Sequence, residues 1–142
     1  MAIYLDNNVG LKIATVDLSA YVTSITLTQT VDQVETTKMG DTAHVFSAGL
    51  ESSTLAVDFL NDWAAAKVQA TLQAAYGTSV TALIVPVKSA STVISATNPL
   101  YTVSILINNL TPVGTGGPAD FATSSMTFTC TSTVAYAITG TF

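Results

Sequence analysis

Asp58 Phe59 Leu60 Asn61 Asp62 Trp63 Ala64 Ala65 Ala66 Lys67 Val68 Gln69 Ala70 Thr71 Leu72 Gln73 Ala74 Ala75 Tyr76 Gly77 carries the strongest helix signal in the chain. Asn61 or Asp62 offers a side-chain oxygen to the free amides of a first turn, and Gly77 can take the left-handed conformation that ends a helix without a Cβ penalty. A helix over about residues 62–76 is therefore expected. Ala65, Val68, Leu72, Ala75 and Tyr76 fall on one stripe of it, while Lys67, Gln69, Thr71 and Gln73 lie largely off the stripe. An amphipathic helix has to rest on something. The sequence on both sides reads as strand and turn, so the support is a sheet or the edge of a sandwich.

Working outward, residues 53–60 alternate Leu55, Val57 and Phe59 with Thr54, Ala56 and Asp58, which makes a strand running almost directly into the helix. Residues 21–31 alternate too: Tyr21, Ile25, Leu27 and Val31 share one face, and Ser24, Thr26, Thr28 and Thr30 share the other. Residues 1–16 give a hairpin-like signal, with apolar pieces at 3–5 and 9–16 split by Asp6-Asn7-Asn8 and Gly10. Beyond the helix, residues 80–87 are apolar on both faces, as suits a central strand, and Pro86 places its end at an edge. Residues 88–99 read as a loop or weak strand. Residues 100–107 form a strong strand with Tyr101, Val103, Ile105 and Ile107 on one face, and residues 121–138 alternate again, with Met126, Phe128 and Cys130 opposite Ser125, Thr127, Thr129 and Thr131. Asn108-Asn109 and residues 114–118 punctuate the chain between them. The pattern predicts one mainly β domain over residues 1–142, an antiparallel sandwich or barrel with one flanking helix.

Residues 32–50 break the alternation. They hold Asp32, Glu35 and Asp41, two glycines, and the single histidine, His44, and they read as an extended segment with a turn near Gly40-Asp41 that projects from the body. Loops of this length usually have a function.

Composition narrows what that function can be. Charged residues make up 9% of the 142, against roughly 25% in an average soluble chain, so the surface must be covered by Thr and Ser or by other subunits. The basic residues are Lys12, Lys38, Lys67 and Lys88, with no arginine, and the formal charge is −5. Direct nucleic-acid binding needs clustered cations and is disfavoured, although an acidic surface can face DNA without holding it. Cys130 is the only cysteine, which excludes an intrachain disulfide and a thiolate metal cluster. No basic patch followed by a long apolar run opens the chain, and no segment reaches the length of a membrane span, so the reading is a soluble protein made in the cytosol.

No constellation of catalytic residues emerges. His44 lacks a nucleophile or metal partner in its neighbourhood. Cys130 lies on an apolar strand face, where a thiol behaves as a small hydrophobe. Asp32, Glu35, Asp41 and Glu51 fit neither a calcium loop nor a regular acidic repeat. Gly114-Thr115-Gly116-Gly117 has no following Lys-Ser or Lys-Thr, and Pro118 stands where a phosphate loop needs a helix. Trp63 could stack a sugar or base, but an aromatic in the first turn of a sheet-packing helix more often serves a core or interface. No catalytic residue, cofactor or metal is expected, and the chain reads as non-enzymatic.

The order of elements carries a resemblance. Asp17-Leu18-Ser19-Ala20-Tyr21-Val22 leads a Thr-rich strand, and Thr36-Thr37-Lys38-Met39-Gly40-Asp41 lies in the loop. Gly49-Leu50-Glu51-Ser52-Ser53 opens the next strand, and Asp58-Phe59-Leu60-Asn61-Asp62 joins it to the helix. With Leu110-Thr111-Pro112-Val113-Gly114 and the Thr/Ser-alternating strand at 122–131, this resembles the tail tube (major tail) proteins of long-tailed bacteriophages over residues 15–135. The resemblance implies a β-sandwich flanked by a helix, assembled as hexameric rings that stack into a hollow tube for DNA passage. The implied partners are copies of itself, with tape measure, tail terminator and baseplate or tip proteins. DNA would pass without specific binding, and the protein would reside in the virion after assembly in the host cytoplasm.

By position, the loop that would reach a neighbouring subunit or ring carries Val34, Glu35, Lys38, Met39, Asp41, His44 and Phe46. Thr26, Thr28, Thr127 and Thr129 are expected on faces that pair with neighbouring strands. The competing readings are a capsid decoration or other virion-surface binding protein, as trimer or monomer, and a tail terminator or completion protein. A cell-wall hydrolase would require acids or a nucleophile that converge only in three dimensions.

Overall fold

Alternating strands dominate the computed structural model, which describes residues 8–114 and 117–142. Along the described residues run β1 (Gly10–Ile13), β2 (Val16–Asp17), β3 (Val22–Thr28), β4 (Val31–Glu35), β5 (Phe46–Glu51), β6 (Thr54–Leu60), α1 (Val68–Ala75), β7 (Ser79–Val85), β8 (Leu100–Leu106), β9 (Thr123–Cys130) and β10 (Ala135–Ala137). Eight strands join one sheet in the order β2-β1-β7-β8-β9-β6-β3, with β10 attached to β8, while β4 and β5 form a separate pair. Every pairing is antiparallel.

β8 is where the sheet turns back on itself. One of its edges pairs with β7 along most of its length. The other is shared: Ile105 and Leu106 pair with Cys130 and Thr129 of β9, whereas Leu100, Tyr101 and Thr102 pair with β10. β9 therefore departs from β8 after two pairs and carries β6 and β3 with it as a second wing. The inward side chains of the two wings, Leu55, Val57, Phe59, Met126 and Phe128 from one and Leu11, Ile13, Ala82, Ile84, Val103 and Ile105 from the other, form one buried cluster with Val68, Leu72 and Ala75 of the helix. Each large apolar side chain so buried stabilises the fold by about 1.5–3 kcal/mol. The architecture is the expected antiparallel sandwich with one flanking helix.

β7 is apolar on both faces because both faces are covered. Ala82 and Ile84 join the main core, and Leu83 and Val85 pack in a smaller cluster with Ile94, Leu100, Ala137 and Phe142. Asn98 braces the loop over that second cluster, accepting from Val87 N at 3.0 Å and donating to Val87 O at 2.9 Å. Pro86 follows the last residue of the strand.

The helix is shorter than expected. It begins at Val68 rather than near residue 62, and the N-cap Lys67 makes no side-chain cap bond. Asp62 Oδ1 accepts from Ala64 N at 2.9 Å, which closes a local turn, and Ala66 lies in the left-handed region at φ 60. The carboxylate that a longer helix would use as a cap is thus spent on a tight turn, and the alanines after it do not become helical. Ala65 and Tyr76 are exposed, and the buried stripe is Val68, Leu72 and Ala75 with Gln69 and Thr71. Gln69, placed off the stripe by sequence, is buried because its amide donates to Asn61 Oδ1 at 2.8 Å, an oxygen that Ser124 Oγ also reaches at 2.7 Å. Gly77, at φ 81, ends the helix as expected.

Among the described residues the first hairpin is β1–β2, which turns through Ala14 and Thr15 at φ 51 and 67, and Gly10 lies in β1 instead of in a turn. The apolar piece at residues 3–5 and the Asp6-Asn7 part of the expected turn lie outside the described residues, as do Thr115 and Gly116 of the glycine run.

Candidate functional site

The segment read as a projecting loop is a two-stranded arm. Among the described residues β4 and β5 pair only with each other, and every residue from 31 to 50 is exposed except Asp41. The arm is the prolongation of a hairpin that starts in the body. β3 and β6 pair up to Thr28 with Thr54, and the same register, three residues further along each strand, pairs Val31 with Glu51. At the joint between them Ser52 N donates to Thr30 O at 2.6 Å.

Beyond Val31 the register shifts by one residue, and Gln33, Val34 and Glu35 pair with Ala48, Ser47 and Phe46. This bulge gives Gly49 its role. A Cβ there would stand 3.0 Å from Asp32 Cβ and 3.1 Å from Val34 Cγ2, so a side chain would crowd Asp32 and Val34 on the paired strand.

Polar contacts within the arm shape its far end. His44 Nδ1 lies 2.6 Å from Glu35 Oε1, and Thr37 Oγ1 donates to the same oxygen at 2.9 Å. These bonds, the His44 contact first, hold the Glu35 carboxyl below its ordinary range. Val45 N donates to Thr37 Oγ1 at 2.9 Å, and Lys38 N donates to Asp41 Oδ2 at 2.9 Å across the turn that Gly40 makes at φ 99. At the near end, Glu51 Oε1 accepts from Val134 N at 3.1 Å and from Ser53 Oγ at 2.8 Å. The Val134 amide, then Ser53, keep this carboxyl low as well. The arm is tied down at its base and cross-linked at its tip.

Between base and tip the arm has no core. Paired residues share a face, so Val34 and Ser47 point one way while Glu35 and Phe46 point the other. Apolar side chains therefore stand on both faces: Val31, Val34, Val45, Phe46 and Leu50 are exposed, and Met39 at the turn is fully so. A ribbon that is apolar on both sides and, among the described residues, packed on neither presents a large uncovered surface.

No protein-family model matches the sequence, and no curated protein matches it.

The residues singled out in the loop are all on the arm. Glu35 and His44 come together as a pair, as do Lys38 and Asp41, whose Nζ and Oδ1 are 3.4 Å apart. Val34 and Phe46 are separated onto opposite faces. Thr26, Thr28, Thr127 and Thr129 lie on the outer face of the β3–β6–β9 wing, where register puts Thr28, Thr54 and Thr129 in one row and Thr26, Ala56 and Thr127 in the next. Ser24, Asp58 and Ser125 make a third row, in which Ser125 Oγ donates to Asp58. The wing's outer surface is a lattice of hydroxyls carrying one carboxylate. Among the described residues β3 pairs with β6 alone, whereas β9 is flanked by β6 and, at its end, by β8.

Cys130 is half-buried, and burial, with the nearby Glu51 charge, pushes its thiol up, away from the reactive thiolate. Among the described residues no helix is long and apolar enough to cross a membrane.

A second exposed apolar group surrounds Trp63, the aromatic expected from sequence to serve a core or interface. Trp63 Nε1 donates to Pro112 O at 3.0 Å, and Asn61 N donates to Ala122 O, which brings the residues before the helix, the 110–114 segment and the start of β9 to one end of the wing. Trp63, Val113 and Phe121 are exposed on these segments, and Tyr76, exposed after the helix, lines a hollow with Gln73, Leu110 and Pro112. Nothing in the local pattern marks them as a group, because their neighbours come from three separate parts of the chain.

Proposed function

We propose that the protein is a structural subunit that assembles with copies of itself, and that it serves as a tail tube subunit of a long-tailed bacteriophage, forming stacked, hexameric rings around a conduit for DNA. The observation that carries this reading is the arm, a ribbon with exposed apolar side chains on both faces and no packing partner among the described residues. Three further features support it. The chain has few charges for a fully solvated surface, the outer face of one wing is covered by hydroxyls, and the formal charge of −5 suits a passage through which a polyanion slides without sticking. On this reading the protein is a virion component with no catalytic role, and it contacts the tape measure, terminator and baseplate or tip proteins at the ends of the tube.

The test is negative-stain electron microscopy of the purified protein over a concentration series, read beside sedimentation velocity. Stacked rings or hollow rods of uniform width are expected. A single monomer or trimer species at every concentration overturns the tube reading in favour of a decoration protein.

A further inference from the structure

We infer that the hollow beside the last turn of the helix is a binding site for a neutral sugar ring. This role is independent of the assembly reading and uses none of the surfaces that carry it.

Two walls face each other across this hollow. One is the end of α1, where Gln73 and the C-cap residue Tyr76 stand one turn apart on the same side of the helix. The other is the segment after β8, through Leu110 and Pro112. Bonds at three places fix the walls relative to each other. At the helix end, Gly77 N donates to Ile107 O at 2.8 Å and Ile107 N to Thr78 O at 3.0 Å. One turn before Gln73, the buried Gln69 amide donates to Thr111 O at 3.3 Å, between the two residues of the far wall. Trp63 Nε1 then holds Pro112 O at 3.0 Å. Leu110 also packs against the main core. The hollow is therefore preformed, and a ligand entering it avoids the cost of ordering a loop.

Its lining selects the chemistry. The volume is about 190 Å³, room for a single ring instead of a drug-sized molecule. Among the described residues no charged side chain lines it, so nothing there neutralises a phosphate or a carboxylate. Apolar surface comes from Leu110, Pro112 and the ring of Tyr76, which is more than half exposed. The Gln73 amide, also exposed, supplies both N–H donors and a carbonyl acceptor. A plain hydrocarbon would cover that amide without hydrogen-bonding it, at a desolvation cost. A sugar ring matches both parts of the lining. Its C–H face stacks on an aromatic ring, and its neighbouring hydroxyls donate to and accept from one amide.

Trp63 provides the readout. It is the single tryptophan of the chain, and its indole N–H is bonded to a residue of the far wall. The experiment is a titration of Trp63 fluorescence in the unassembled protein, carried to about 50 mM because a ligand of one ring reaches affinities on the order of 1 mM. The probes are the methyl glycosides of glucose, galactose, mannose and N-acetylglucosamine, each beside its homodisaccharide. At least one is expected to give a saturable change. Tyr76→Ala should weaken that binding at least about tenfold, whereas Tyr76→Phe, which keeps the ring, should stay within about threefold of the parent. Gln73→Leu, which removes the amide and keeps the bulk, should weaken it at least about fivefold. Both positions are exposed, so the fold is retained. A disaccharide that binds more tightly than its monosaccharide assigns the ring to a glycan chain, and equal binding assigns a free sugar. A response to every probe that never saturates overturns the inference, and so does a saturable one that Tyr76→Ala and Gln73→Leu leave unchanged.

Discussion

The hairpin that begins in β3 and returns in β6 is two structures in one ladder. Its inner half packs Leu55, Val57 and Phe59 against β9, β7 and the helix until none is more than 1% exposed. Its outer half carries Val34, Phe46 and Leu50, residues of the same apolar kind, at 49%, 49% and 81% exposure. The register across the joint does not change. What differs is the second layer, which the inner half has and the outer half lacks. Apolar content alone therefore does not make a core. The same residue types on the same ladder become core or contact surface according to whether another element covers them.

The sharpest way to break the comparison is a matched pair of substitutions. Phe128→Ala, in the core, should destabilise the protein by about 3–5 kcal/mol in urea unfolding of the unassembled form. Phe46→Ala, in the arm, should change stability by no more than about 0.5 kcal/mol under the same conditions. Comparable losses from the two would mean that the arm is part of the cooperative core.

Amide exchange gives a smaller but position-resolved contrast. A two-stranded ribbon is marginally stable by itself, so the amides of β4 and β5 in unassembled protein should exchange at least about 100-fold faster than those of β6 and β9. Equal protection would place the two halves in one cooperative unit. Assembly should slow the arm amides selectively.

The smallest effect concerns the base of the arm. Glu51 is held below its ordinary carboxyl value of 4.5 by the Val134 amide and Ser53. A depressed carboxyl value means that the folded state favours the charged form. The contribution is fully present above 4.5 and is lost as pH falls through the lowered folded value. Acidification should therefore loosen the joint, read as a shift of the Val134 amide resonance and faster exchange at Ser52. Glu51→Gln should abolish that pH dependence, and a titration unchanged by the substitution would show that another group controls the joint.

The body of the fold was legible wherever alternation met burial. Leu55, Val57 and Phe59, the two-faced strand at 79–85, and Met126 with Phe128 all announce their strands because a half-buried surface repeats every second residue. The helix start was not legible. Asn61 and Asp62 fit a cap by type, and only the structure shows that Asp62 closes a turn on Ala64 while Asn61 gathers Gln69 and Ser124. The turn at Ala14 and Thr15 was also hidden, because neither residue is a usual left-handed turn former. In the arm, the apolar residues divide between two faces around a bulge, and this erased the alternation that would have marked β4 and β5 as strands. The segment was nevertheless recognisable as projecting, from its glycines and its polar residues. The grouping around Trp63 depends on a bond between residues 49 apart in sequence, a proximity that no local period encodes.

The unbroken register between arm and body also has a mechanical meaning. A neighbour gripping the arm would pull along the strand axes, and β6 would pass that tension to β9 through seven consecutive pairs from Thr54–Thr129 to Leu60–Thr123. Hydrogen bonds in an antiparallel ladder stand across the strands, so a pull along them loads the rows together in shear instead of peeling them one at a time. The arm is thus anchored in the direction in which a stack of subunits would be stretched, and it is most easily bent sideways, at the joint between Thr30 and Ser52.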